Sequence, residues 1–301
     1  MNNDSAFTSI FSIILSFITM VTGIFGILKN RPEPTYDVTG FEEKADDSIR
    51  IMSFNLRCTN VGSETRTDRV DIVCAEILAG HPDSMGVQEA TPGWMDDLKK
   101  NIGDEYGYVG VGRDNGKNLG EYSAVFYLKE KYEAIDSGTF WLSETPEKPS
   151  IGWGAACKRV CTWVVLKNRE TGVKYVHINS HFDHISEEAR QHSVMMIVEK
   201  AKEYADLPVV FTADMNVKQG SETYNSMVNS GFLYDSKFKA ADTMDYLTFH
   251  DLSPETHKDS IIDYIMINDN FNALVYRVVT DGVDGRCVSD HYPIYTDLSI
   301  K

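Results

Sequence analysis

Ile49–Asn55, IRIMSFN, is the stretch whose reading decides the fold. Ile49, Ile51 and Ser53 alternate with Arg50, Met52 and Phe54, the two-residue period of a strand, and the run ends on a polar residue, Asn55. Downstream the same design returns. SMGVQE ends on Glu89 and YVHINSH on His181. PVVFTA is followed by Asp214 and Asn216, and Asp290 and His291 stand just ahead of YPIYTDL. Five apolar strands thus carry ligand-type or acid–base side chains at a terminus, where a rigid scaffold usually displays its functional groups. One such residue alone reads as a turn or a solvated group. Five strand ends together read as one rim.

Between these strands, Val70, Val73, Ile77 and Leu78 predict a helix over 66–79, stopped by Gly80 and Pro82. A second is expected over 91–101 from Thr91-Pro92. A third is expected over 186–204, with Ser186 as N-cap and Glu187 and Glu188 in its first turn. Ser221 opens a fourth, closed by Gly231. Further strands are expected at 122–128, 160–166, 174–180, 208–213, 261–267, 274–280 and 292–298. Many short strands and few helices predict an α+β fold, a four-layered α/β sandwich of two packed, mostly antiparallel sheets flanked by helices.

The chain has 301 residues and a formal net charge of -16. So acidic a chain argues against a surface built to grip duplex DNA, which needs Lys and Arg against phosphates. It leaves a phosphate substrate open, because a metal ion supplies positive charge locally. The cysteines, Cys58, Cys74, Cys157, Cys161 and Cys287, are odd in number and lack zinc-like spacing. They read as small hydrophobes or free thiols, with one disulfide left open. Ala6 to Leu28 contains no charged residue and is long enough to span lipid. No Lys or Arg precedes it and no Ala-x-Ala cleavage site is evident, which favours an uncleaved anchor over a secretory signal. The expected organisation is therefore an N-terminal membrane segment (1–29), a polar tether (30–48) and a globular domain (49–301). Lys29 and Arg31 point the domain to the cytoplasm by the positive-inside rule, and export remains the alternative if the segment is cleaved.

The rim residues fall into motifs that resemble the endonuclease/exonuclease/phosphatase superfamily, which includes deoxyribonuclease I. Phe54-Asn55-Leu56 resembles its opening motif, Val87-Gln88-Glu89 its "QE" motif and Asn179-Ser180-His181 its central histidine motif. Thr212-Ala213-Asp214-Met215-Asn216 is similar to "GDxN", with Ala213 in place of the usual Gly. Ile262-Asp263-Tyr264-Ile265 resembles "IDYI", with Ile261 where relatives often carry Arg. Ser289-Asp290-His291-Tyr292-Pro293 resembles the closing "SDHxP". The resemblance covers about residues 48–299 in the family's order. The segment from Ser137 to Trp163 is similar to a bacterial and fungal branch whose substrates are poorly defined.

The resemblance implies a divalent-metal-dependent hydrolase of phosphate esters, with a phosphodiesterase favoured. Glu89, Asn55 and Asp290 are the expected ligands of Mg²⁺ or Mn²⁺, cations that prefer hard oxygens. Asp214 is the expected general base and Asn216 holds the phosphate or the attacking water. His181 and His291 are expected to donate to the non-bridging oxygens, with Asp263 orienting His291. Arg113 and Asp183 are candidate substrate contacts, with His184, Trp141 and Trp153 as further rim candidates. Nucleic acid, a lipid head group and a soluble phosphorylated metabolite remain open as substrates. A non-catalytic binding protein on the same fold is the rival reading.

Overall fold

The computed structural model describes residues 36–301. The expected membrane segment at residues 6–28 lies outside the described residues. Among those described, no helix is long and apolar enough to cross a membrane.

In chain order the elements are β1 (Ile49–Asn55), α1 (Arg66–Gly80), β2 (Ser84–Ala90), α2 (Pro92–Ile102), β3 (Tyr106–Val109), β4 (Tyr122–Leu128), β5 (Tyr132–Trp141), β6 (Val160–Asn168), β7 (Lys174–His181), α3 (Glu187–Lys202), β8 (Val209–Asp214), α4 (Glu222–Val228), β9 (Tyr234–Asp235), α5 (Ser236–Lys239), β10 (Asp242–Thr243), β11 (Asp263–Ile267), β12 (Phe271–Val278) and β13 (Ile294–Ile300). They form a seven-stranded sheet, β10-β12-β13-β1-β2-β4-β3, and a six-stranded sheet, β5-β6-β7-β8-β11-β9. Both sheets are mixed: β1–β2, β10–β12 and β7–β8 run parallel and the other neighbours antiparallel. The expected sandwich is the observed fold.

Strand β1 is buried along its whole length because it lies mid-sheet between β13 and β2. Its Arg50 is buried too, and it is held by a two-point ion pair to Asp297 (Nε–Oδ1 and Nη2–Oδ2, both 2.7 Å). On the outer face of the six-stranded sheet, Val194, Ile197 and Val198 of α3 and Tyr224 and Met227 of α4 pack with Ile178 and Phe211. The expected caps are in place: Ser186 Oγ accepts from Ala189 N at 3.1 Å and Ser221 Oγ from Tyr224 N at 3.2 Å.

The inner seam between the sheets is polar where an oily layer would be usual. Gln88 Nε2 donates to Asn179 Oδ1 (2.8 Å), and Asn179 Nδ2 donates back to the carbonyls of Val87 and Ala124 (both 2.9 Å). Thr212 Oγ1 donates to the same Asn179 Oδ1 at 3.0 Å. His177 bridges Ser84 Oγ (2.7 Å) and Thr212 Oγ1 (2.9 Å). Its burial depresses the imidazole pKa to about 3, so the ring is neutral. Buried polar groups satisfied across a seam fix the relative position of the two sheets.

Val38–Lys301 forms one compact unit, so the chain packs onto the fold well before Ser48, where the tether was expected to end. Val38 bridges Val283, Phe41 stacks on Tyr295 at 5.4 Å, Glu42 pairs with Arg277 and Lys44 reaches Asp83 at 2.7 Å. The aromatic ring and two charged residues explain this: Phe41 finds a partner on β13, Glu42 on β12 and Lys44 just ahead of β2.

Glu76 of α1 is fully buried, and neither carboxylate oxygen has a hydrogen-bond partner among the described residues. Burial, reinforced by the charge of Asp281, pushes its pKa from 4.5 up to about 8. The folded protein therefore keeps this proton where the unfolded chain has released it. Stability is full below about pH 4.5 and is lost as pH rises towards and through about 8. Glu76→Met should remove up to ~3–5 kcal/mol of that penalty at pH 8.5. Thermal unfolding from pH 5 to 8.5 tests it: the variant should have the flatter profile, and identical slopes would refute the assignment.

Candidate active site

Parallel pairing sets the floor of the site. Asn55 pairs with Gln88, beside Glu89, at the ends of β1 and β2, and His181 pairs with Asp214 at the ends of β7 and β8. Asp263 opens β11 directly opposite Asp214. Asp290 and His291 lie in the connection leading into β13, whose Ile294 pairs with Ser53. The rim inferred from the strand ends is therefore one place, drawn from both sheets.

Glu89 reaches it through a backbone device. The β2–β4 register shifts between Val87 and Ala90, and Glu89 has φ 56°. A bulge with a left-handed residue turns a side chain out of the regular alternation. Arg57 (φ 55°) and Asn216 (φ 52°) share this conformation, uncommon for residues with a Cβ. Such residues concentrate at sites where the surrounding structure over-determines the backbone.

Asn55 Nδ2 donates to Asp214 Oδ2 (2.9 Å) and Glu89 Oε1 (3.2 Å), while Asn55 Oδ1 accepts the Arg57 backbone N–H (3.0 Å). The Cys58 backbone N–H donates to Glu89 Oε2 at 2.8 Å. Asn216 donates its backbone N–H to Asp214 Oδ1 (2.9 Å) and its amide to His181 Nε2 and the Phe182 carbonyl (both 3.0 Å). His291 Nδ1 meets Asp263 Oδ2 at 2.9 Å, and its Nε2 stands 3.8 Å from Asp214 Oδ2. Ligand-type atoms of Asp214, Asp263 and His291 all lie within 4.8 Å of one another.

The two histidines differ. Burial alone would lower the His291 pKa, but the charge and hydrogen bond of Asp263, with Asp214 and Asp290 near, outweigh it and push it up to about 10. His291 is an imidazolium at neutral pH. His181 is driven well below its usual range by burial and by the charges of Arg159, Arg113 and His291. It is neutral, and its Nε2 accepts from Asn216, which leaves the ring proton on Nδ1. Of the two histidines, His291 carries the positive charge. Burial and the neighbouring Asp263 carboxylate raise the Asp214 pKa against the pull of His291. Burial also raises Asp290, although Arg57 Nη1 stands 3.0 Å from its Oδ2. Glu89 stays low: burial is opposed by hydrogen bonds from Cys58 and Asn55 and by the His291 charge.

Other candidates lie close by with different work. Arg113 is clamped to Glu121 by two hydrogen bonds of 2.9 and 2.7 Å. Asp183 accepts the backbone N–H groups of Ala156, Ile185 and Ser186 (2.9–3.0 Å), so it organises the loop after β7. His184 Nδ1 stands 3.1 Å from Arg159 Nη2. Trp141 is buried with its Nε1 on the Arg113 carbonyl (2.8 Å), and Trp153 stacks on His192 at 4.3 Å. Arg57, which pairs with Asp290, was missed from sequence. The signal available was a basic residue two positions after the first motif's Asn55.

The donor set fits a hard divalent cation. The buried carboxylates of Asp214, Asp263 and Asp290, with the half-buried one of Glu89, outnumber the cations that touch them, His291 and Arg57. Such an excess of negative charge in a low-dielectric recess is costly unless a cation offsets it. The five cysteines are all free thiols.

Carboxylates, amides and histidines gathered on one rim of a two-sheet α+β sandwich form a candidate catalytic centre. Residues 52–291 match the Endonuclease/Exonuclease/phosphatase family, and the chain belongs to it. Two solved proteins of Bacteroides thetaiotaomicron are similar to it. One is an endonuclease/exonuclease/phosphatase family protein (34% identity, TM-score 0.80, covering 86% of this chain and 100% of that one). The other is a mannosyl-6-phosphatase (34% identity, TM-score 0.79, covering 84% and 100%). The human Nocturnin catalytic domain, at 18% identity and TM-score 0.67 over 91% of this chain and 100% of its own, shares the fold. No match was found among curated proteins.

Proposed function

We propose that this chain is a divalent-metal-dependent phosphoester hydrolase acting by in-line attack of water. The observation that carries the reading is the His291 imidazolium set between the carboxylates of Asp263 and Asp214 (2.9 and 3.8 Å). A cation so placed answers charge that grows on a phosphoryl oxygen. Glu89 and Asp290, with Asn55 beside them, would hold Mg²⁺ or Mn²⁺, which offsets substrate charge and supports the leaving oxygen. Asp214, with its raised pKa, takes the proton of the attacking water. Asn216 fixes Asp214 through its backbone N–H and the His181 ring through its amide. His291 Nε2–H donates to a non-bridging oxygen, and Asp263 keeps that ring charged and aimed.

The recess already carries excess negative charge, which disfavours a doubly charged monoester over a singly charged diester. We therefore favour a phosphodiesterase. The 34% identity to a mannosyl-6-phosphatase supports monoester hydrolysis as the second reading. For location we propose an anchor at Ala6–Leu28.

Hydrolysis of bis-p-nitrophenyl phosphate and p-nitrophenyl phosphate, with Mg²⁺ or Mn²⁺ and after chelation, tests the reaction and its preference. Glu89→Ala should lose at least ~10²-fold in kcat with either metal. Undiminished turnover in that variant would remove Glu89 from the metal site.

A further inference from the structure

Large apolar side chains ring the recess. Leu119 (56% exposed), Ile151 (54%), Ile185 (65%) and Leu252 (42%) belong to four different connections. All four connections leave the same end of the sandwich. Tyr122, at the start of β4, pairs with Ala90 beside Glu89, which puts 110–121 at the rim. Cys161 pairs with Ser180 and Asp263 with Asp214, which puts 142–159 and 244–262 there too. The turn 182–186 directly follows His181.

The tips form two flanks. Ser186 Oγ donates to the Trp153 carbonyl at 2.6 Å, joining the loops of Ile185 and Ile151. A Cβ at Gly116 would lie 4.0 Å from Pro149, joining the loops of Leu119 and Ile151. Leu252 sits on the other side, 3.5 Å from the Cβ position of Gly62 in the connection after Asn55. Between the flanks the catalytic groups are recessed, with Asp214 2% and His291 4% exposed.

Single exposed aliphatics need no explanation, but a set enclosing one polar recess does. The chain itself indicates the occupant. Val38 pairs with Val283 in the 279–293 connection, which runs from Val278 to Ile294 at the Ser53 end of β1, the rim end. The packed N-terminal stretch thus joins the fold on the active-site side. The ten residue steps from the uncharged run's last residue, Leu28, to Val38 reach at most ~35 Å.

We propose that this rim docks on a lipid bilayer through Leu119, Ile151, Ile185 and Leu252, and that the substrate is a phosphate ester of a lipid head group. The inference rests on the phosphoester reading above. Docking is apolar, since a chain of net charge -16 gains nothing from anionic lipid. A lipid-inserted run at Ala6–Leu28 would bring this chain to a bilayer surface, where the head groups are phosphate esters.

The full chain in phosphatidylcholine vesicles tests this. Ile185→Trp and Leu252→Trp place reporters on both flanks, and Val173→Trp places one at the far end, in the turn between β6 and β7. Brominated lipid should quench the first two and spare the third. Equal quenching at all three, or none at the rim, overturns the docking. Replacing all four tips with serine should slow hydrolysis of a phospholipid in vesicles at least ~10-fold and leave soluble bis-p-nitrophenyl phosphate unaffected. Equal loss on both substrates, or preference of the parent for an oligonucleotide, overturns the lipid assignment. A parent inactive on every ester defeats the phosphoester reading, while quenching still decides the surface.

Discussion

Asp214→Asn is expected to cut kcat on a phosphodiester by ~10³–10⁴-fold with the fold intact. The amide keeps the shape and the bond from the Asn216 backbone N–H, because an oxygen still faces it. What is lost is a proton acceptor, the bond that Oδ2 accepts from Asn55 Nδ2 (2.9 Å), and a negative charge 3.8 Å from His291 Nε2. Two pH limbs follow. Asp214 must be ionised to act, so activity should rise with pH through a pKa held above the ordinary 3.8 by burial and Asp263. His291 must be protonated, so activity should fall again as pH passes about 10. The variant should lose the acidic limb. Steady-state kinetics on bis-p-nitrophenyl phosphate, with melting curves of both proteins, tests this. A variant that turns over like its parent removes Asp214 from proton transfer.

Gly86→Ala should be among the most damaging single-methyl additions in the molecule. A Cβ at Gly86 would overlap Thr212 Oγ1 and the Asn179 side-chain amide. Neither can yield cheaply. Asn179 is held by Gln88, Val87 and Ala124, and Thr212 by His177 and Asn179. Overpacking of so fixed a seam costs ~3 kcal/mol or more, a drop in Tm of ~6–12 °C. Calorimetry measures it. Thr212→Ala in the same chain should recover part of the loss, since the two substitutions share one contact. An unchanged Tm would mean that the sheets can part without penalty.

The sandwich was legible because period-two runs and their polar ends coincide. The predicted strand 122–128 and the helix over 66–79 agree with the observed elements to within a residue or two. Strand β5, YEAIDSGTFW, was missed because it is an edge strand, buried only at its two ends, with no alternation to read. Strand β3, YGYV, is short and carries a glycine. Strand β11 begins at Asp263, two residues after the expected start, because Ile261 and Ile262 belong to the connection that positions the acid. At the site, residue types along the chain exposed the gathering of seven side chains but not their charge states. His181 and His291 look alike in sequence; burial with the charges of Arg159 and Arg113 keeps the first neutral, and Asp263 makes the second cationic. Gln88 and Asn179 sit inside motifs that suggest chemistry, and their work is to lock two sheets together.

The rim loops have a different bearing on the lineage than the strands do. The carboxylates and His291 hang on strand ends, the bulge at Glu89 and the tight connection before β13, whereas 110–121, 142–159 and 244–262 contribute none of them. Insertion or exchange at the tips of 110–121 and 142–159 leaves the strand ends that bear the carboxylates in place. The 244–262 loop has no such freedom: the His250 N–H donates to the Asp290 carbonyl, Thr248 Oγ1 accepts from the Asp263 N–H, and the Phe249 ring lies 4.9 Å from that of His291.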